Sequence, residues 1–163
     1  MSVLVAALAA DLAAELTRRL LDEGDQVRAI VAPGAAPPPG AHVASGDLSD
    51  EDLVERACQG VRTIVLGGVP AEVRSVALTA AARAGVDRAV LVDMPPEGVP
   101  EGMSWVALML PRGRLLGRRK PLAPGVVAEA VDAADDLAGE PRLVADLGTE
   151  EGWRSLRLEP PRD

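Results

Sequence analysis

Phenylalanine and tyrosine are absent from the 163 residues, and tryptophan occurs only at Trp105 and Trp153. A core of ordinary size must then be made of Ala, Val and Leu, which favours helices lying close on a sheet. A single cysteine, Cys58, excludes an internal disulfide and fits a reducing compartment. There is one histidine, His42, which reads as a packing or surface residue, and no metal-ligand cluster is expected. Walker loops and nucleophile elbows are missing as well. Positive charge is scarce. Seventeen Lys and Arg face 25 Asp and Glu, and the net charge of −8 argues against general nucleic-acid binding. The apolar amino terminus carries no basic leader and is interrupted by Asp11 and Glu15. It reads as neither a signal peptide nor a membrane span, so a cytoplasmic protein without membrane contact is expected.

What is present is organised by the first 31 residues. Val3-Leu4-Val5 reads as a buried strand. Leu8, Leu12, Leu16 and Leu20 recur every four residues and define one face of a helix that Gly24 stops. Residues 26–31, Gln-Val-Arg-Ala-Ile-Val, read as a second strand. This β-α-β unit opens a parallel sheet. The length prior gives one α/β domain over residues 1–159, with a frayed tail at 160–163.

Arg18-Arg19-Leu20-Leu21-Asp22-Glu23-Gly24 and Val27-Arg28-Ala29-Ile30-Val31 stand in ungapped register with the RRLLxxGH and VRALVR signatures of one family. The stretch resembles the start of the atypical short-chain dehydrogenase/reductases, the NmrA-like and epimerase-like NAD(P)H-binding branch. The resemblance implies a Rossmann-like, doubly wound, mainly parallel sheet. It covers roughly residues 1–147, with GVDAVVHL matched at 60–66 and GVKRFVYVS at 85–92. In the family the first strand runs into TGxxGxxG; here those three glycines are Ala7, Ala10 and Ala13. The glycines serve a tight turn, close approach of backbone to pyrophosphate, and helix-on-strand packing. A Cβ at Ala7 penalises a positive φ, and one at Ala10 stands where phosphate oxygens would sit. Asp11 adds a negative charge where a bound dianion would lie. The family's ribose or 2′-phosphate reader falls at Ala32, which a proline follows. Neither NAD nor NADP is therefore expected, unless the degenerate site still binds one.

Gly46-Asp47-Leu48 matches the family's GDL, whose Asp commonly faces the adenine; Asp47 reads equally as a turn residue ahead of a helix at 49–57. Cys58 ends that helix, half-buried. Gly67 and Gly68 close the fourth strand, where this architecture builds its ligand crevice, and read as an anion cradle or as a plain turn. A helix follows Pro70, with Val73, Val76, Ala77, Ala80, Ala81 and Ala84 on one face, and Gly85 ends it. Asp93, at the end of the fifth strand, reads as a loop cap or a catalytic carboxylate. The family then carries a long helix with Tyr-x-x-x-Lys. Residues 95–102 hold three prolines instead, so that helix is lacking; the chain has no Tyr, and its only Lys is Lys120. A sixth strand at 104–110 follows a link close to the minimum for a parallel crossover, which leaves its pairing open. A helix over 126–137 and terminal strands at 143–147 and 155–158 complete the reading.

Arg112, Arg114, Arg118, Arg119 and Lys120 crowd nine positions that contain no acid. They are expected to contact a protein partner with an acidic surface, which includes another copy of the chain, ahead of a phosphorylated ligand or nucleic acid. No catalytic residue is assigned. The expected function is a catalytically silent relative of reductases acting as a protein-binding or regulatory scaffold. The alternatives are a ligand or nucleotide sensor using the residual crevice around Asp47, Gly67 and Gly68, and an oxidoreductase or isomerase with chemistry relocated to Asp47 and Asp93.

Overall fold

Apolar runs bounded by helix stops give strands buried on both faces, and a computed structural model describes how they assemble over residues 1–111 and 121–161. In chain order the elements are β1 (Ser2–Ala6), α1 (Ala10–Asp22), β2 (Gln26–Val31), β3 (His42–Ser45), α2 (Glu51–Ala57), β4 (Thr63–Gly67), α3 (Ala71–Arg83), β5 (Arg88–Val92), β6 (Ser104–Met109), α4 (Pro124–Asp135), β7 (Arg142–Asp146) and α5 (Glu150–Ser155). Among the described residues the strands form one seven-stranded sheet, ordered β3-β2-β1-β4-β5-β6-β7. Every pairing is parallel. The expected α/β, doubly wound, Rossmann-like sheet is what the chain forms. The pairing left open for β6 is parallel, with Arg88 beside Ser104 and Val92 beside Leu108.

Alternation along the strands builds two cores. Val3 and Val5 of β1 face α1 and α4 with Leu12, Leu16, Leu20, Val127 and Val131. Leu4 and Ala6 face the opposite side with Val54, Ala77, Leu78 and Ala81 from α2 and α3. Full burial of each Leu or Val is worth about 1.5–3 kcal/mol, so the aromatic-poor core is sufficient because it is continuous on both faces. Helix α1 ends as its glycine predicts. Gly24, at φ 89, donates to Leu21 O, and Asp25 donates to Leu20 O, closing a Schellman turn. Gly85 ends α3 in the same way, through Ala82 O and the Val86 donation to Ala81 O.

Three expectations are corrected. Leu8 continues the four-residue spacing of α1 but lies in the turn before it, since the helix starts at Ala10. Cys58 is fully buried rather than half-buried. Residues 155–158 form no strand: Thr149 caps α5 by accepting from Gly152 N, and the helix runs to Ser155. The alternation of Leu156 and Leu158 that mimics a strand belongs to a third Schellman closure. Arg157 donates to Arg154 O and Leu158 to Trp153 O. Arg157 sits at φ 61, where glycine is the usual occupant.

The proline-rich link from β5 to β6 crosses without a helix. Buried Arg74 of α3 holds it by donating from Nε to Glu97 O at 2.8 Å, and Met94 and Met103 anchor its ends in the second core. At the opposite, amino-terminal edge of the strands, buried Asp135 accepts from Arg62 Nη2 at 2.8 Å and Thr63 Oγ1 at 2.5 Å. Arg88 meanwhile donates to the Asp135 and Gly139 carbonyls. This network fixes the carboxyl end of α4 beneath the sheet, away from the crevice.

Candidate functional site

Strand order reverses between β1 and β4, because the chain leaves β1 toward β2 and β3 and returns beside β1 to form β4. In open α/β sheets ligands lie outside the carboxyl ends of the strands at this reversal. On the β4 side the turn after β1 comes up against the strand end. A Cβ at Gly67 would lie 2.9 Å from Ala7 O and 2.9 Å from Leu8 Cδ2, so the β1–α1 turn rests directly on the end of β4. Gly68, at φ 40, makes the chain turn away.

The turn itself keeps the shape that glycine normally provides. Ala7 is at φ 55, in the left-handed region, at a cost of order 1 kcal/mol. Ala9 is the N-cap of α1 and offers no side-chain acceptor. Asp11 supplies one from inside the helix, its Oδ1 accepting from Leu12 N at 2.8 Å. A helix start attracts anions through its free N–H groups and the positive end of its dipole. Here the protein's own carboxylate stands there, and Ala10 adds a methyl. This arrangement does not fit a dianionic pyrophosphate.

On the β2 side a cavity of about 410 Å³ opens between the ends of β1 and β2, the start of α1 and the loop over residues 35–39. Ala7, Ala10 and Ala13 all line it, as do Ala32 and the run Pro37-Pro38-Pro39. Every lining residue is Ala, Val, Leu, Ile or Pro. No side chain in it can donate, accept or carry charge, so polar contact is limited to backbone groups. Pro38 is buried and ties the loop down. Nothing in the sequence marked this cavity beyond the density of alanine and proline.

Asp47, Gly67 and Gly68 lie outside this lining, so the structure brings the three alanines together and leaves the other three elsewhere. Asp47 Oδ1 accepts from Ser49 N and Ser49 Oγ, both at 2.8 Å. These bonds, the backbone one first, hold its carboxyl below the usual carboxylate range. It is the turn residue ahead of α2, whose N-cap is Asp50, accepting from Leu53 N at 3.1 Å. Asp93, at φ 56, donates from N to Leu108 O at 2.7 Å and accepts on Oδ1 from Leu110 N at 3.3 Å, joining the ends of β5 and β6. Asp47 follows β3 and Asp93 follows β5, four strand spacings apart or roughly 19 Å. They do not form a pair. The basic residues Arg112, Arg114, Arg118, Arg119 and Lys120 lie outside the described residues. No group of three or more His, Cys, Asp or Glu among the described residues could hold a metal ion, and no described helix is long and apolar enough to cross a membrane.

No protein-family model matches the chain. No curated protein matches it either. Solved structures do. The fold is similar to that of ChuY, an anaerobillin reductase from Escherichia coli O157:H7, at a TM-score of 0.69 and 16% identity over 90% of this chain and 96% of that one. It is similar to a short-chain dehydrogenase/reductase from Veillonella parvula in complex with NADP, at a TM-score of 0.69 and 13% identity over 89% and 93% of the two chains. A mutated uronate dehydrogenase matches at a TM-score of 0.66 and 16% identity over 89% of this chain and 73% of its own. At such identities the likeness establishes the Rossmann-type fold shared with NAD(P)-binding reductases, and no activity.

Proposed function

We propose that this chain is a catalytically silent Rossmann-fold domain that binds neither NAD nor NADP at useful affinity and works as a binding or regulatory scaffold. The observation that carries the reading is the closure at the strand reversal, where Ala7 and Leu8 rest on Gly67 and Asp11 occupies the helix start. A dinucleotide laid across the reversal needs space on both sides of β1 and unclaimed N–H groups at α1; each phosphate or ribose group left without a partner costs about 1–3 kcal/mol, and the penalties compound. The chain also has no tyrosine to donate a proton, and the carboxylates of Asp47 and Asp93 are engaged by backbone N–H groups. Calorimetry with NAD⁺, NADH, NADP⁺ and NADPH tests this: no binding below the millimolar range is expected. A micromolar constant for any of the four overturns it.

The partner surface we assign to the basic run at 112–120, on its composition: four arginines suited to bidentate carboxylate contacts on an otherwise acidic protein. Pull-downs comparing the native chain with Arg114→Glu/Arg118→Glu/Arg119→Glu should lose an acidic protein partner. Retention of every partner by a folded triple variant, at low and moderate salt alike, removes that assignment. A second reading, small-ligand binding, is favoured by the cavity on the β2 side.

A further inference from the structure

We infer that the cavity between α1 and residues 35–39 is a binding site for a neutral, predominantly apolar small molecule of on the order of twenty non-hydrogen atoms. The inference rests on the cofactor-free reading above, because a dinucleotide would claim the same mouth. Size comes first. About 410 Å³ lies within the roughly 300–1,000 Å³ typical of small-molecule sites. The lining then sets polarity. With only aliphatic side chains around it, a charged or strongly polar ligand would leave its solvation shell and gain few bonds in return.

Charge at the mouth sharpens the choice. Asp11 stands at the start of α1, beside lining residues Ala10 and Ala13, and its Oδ1 already takes the Leu12 N–H that would otherwise greet an anion. No cation lines the cavity, and the protein as a whole is at −8, so anions are opposed both locally and at long range. The negative field would draw a cation toward the mouth, but no carboxylate lines the pocket to replace the water it would lose on entering. Neutral ligands remain. Three successive prolines form one wall, with φ fixed by their rings and Pro38 buried, so little ordering of that wall is needed on binding. Opposite them, Ala10, Ala13 and Ala14 present only methyl groups on a helix face. A flat or chain-like apolar molecule can therefore enter without displacing a side chain.

The test is a fluorescence titration of the full chain with Nile red, a neutral apolar dye of suitable size, followed by competition. Saturable one-to-one binding with blue-shifted emission and a Kd on the order of 10 µM is expected, from about 0.3 kcal/mol per ligand atom. Two filling variants locate the dye. Ala36→Trp, on the exposed loop, and Ala10→Phe, at the helix start, should each weaken binding at least tenfold while the thermal melt is retained. Indole, followed by ligand-observed NMR, serves as a smaller neutral probe and should lose its signal in the same variants. Absence of saturable binding by both probes, or binding that neither folded variant alters, overturns the inference and leaves the cofactor-free reading intact. NADP binding on its own, or displacing the dye, overturns both.

Discussion

Gly67→Ala puts the closure of the crevice to a direct test. Gly67 ends β4 in a conformation open to any L-residue, so adding a methyl brings no left-handed strain and the whole effect is steric. The new Cβ would stand 2.9 Å from Ala7 O, a backbone atom in a turn already held at φ 55, and 2.9 Å from Leu8 Cδ2. Real Cβ atoms keep farther off, so either the turn lifts or the strand end moves. Overpacking of this kind costs about 1–3 kcal/mol. With an m-value on the order of 2 kcal/mol per molar urea, the midpoint falls by about 0.5–1.5 M, read from tryptophan fluorescence because Trp153 is buried in the first core. Leu8→Ala removes one of the two clashing atoms. The double variant should therefore be less destabilised than the sum of the singles, with a coupling of about 0.5–1.5 kcal/mol. A Gly67→Ala protein within about 0.5 kcal/mol of the parent, or strict additivity in the cycle, would mean the turn does not rest on β4. The space for a dinucleotide would then be open, and the functional reading would lose its main support.

Burial pushes the Cys58 thiol from its ordinary 9.0 up to about 12, so the unfolded chain gives up that proton first: stability is intact below pH 9 and falls between pH 9 and 12 by at most about 1.4 kcal/mol per pH unit. With no tyrosine and one lysine to titrate in that window, Cys58→Ala should flatten an alkaline urea-midpoint profile; an unchanged slope refutes the assignment. Arg157→Gly should raise stability by about 0.5–1 kcal/mol by relieving the φ of 61 at the end of α5, whereas Arg157→Ala should not. Equal midpoints for the two variants in urea would show that the left-handed conformation carries no cost there.

How far the sequence reveals the fold depends on which contacts define each element. The first strand, α1 and β2 are legible because their signals are local: an apolar run, leucines every fourth residue and a glycine whose αL conformation closes a Schellman turn. The same spacing misassigns Leu8, because periodicity does not register where the N-cap falls, and Ala9 offers no capping side chain to mark it. Around residue 156 a two-residue alternation of leucines misleads, although Thr149 followed by Glu150 and Glu151 is a helix start in plain view. The site is legible only by subtraction. Loss of the three glycines is visible in the chain, but the contact of Leu8 with Gly67 joins residues far apart in sequence, and the cavity exists only once residues 35–39 fold back over α1. Composition identifies that run as a loop and says nothing of what it encloses.

The alanines at the three glycine positions of the resembled motif are also residues that line the cavity. Ala10 puts a Cβ where backbone would approach an anion, and Ala7, Ala10 and Ala13 each contribute to a wall with no polar side chain. On the proposed reading, loss of a phosphate site and gain of an apolar one would follow from the same three side chains. Ala7 holds φ 55 at a cost that a looser turn would avoid, and that turn seats Leu8 against Gly67 while leaving the β2 side open. The space that opens on the β2 side is the one whose walls are uniformly aliphatic. A pocket with those walls discriminates by desolvation: it rejects charge without needing a repelling group, and it accepts neutral surface in proportion to the area buried. If the cavity binds as inferred, its selectivity would reside in what its side chains lack.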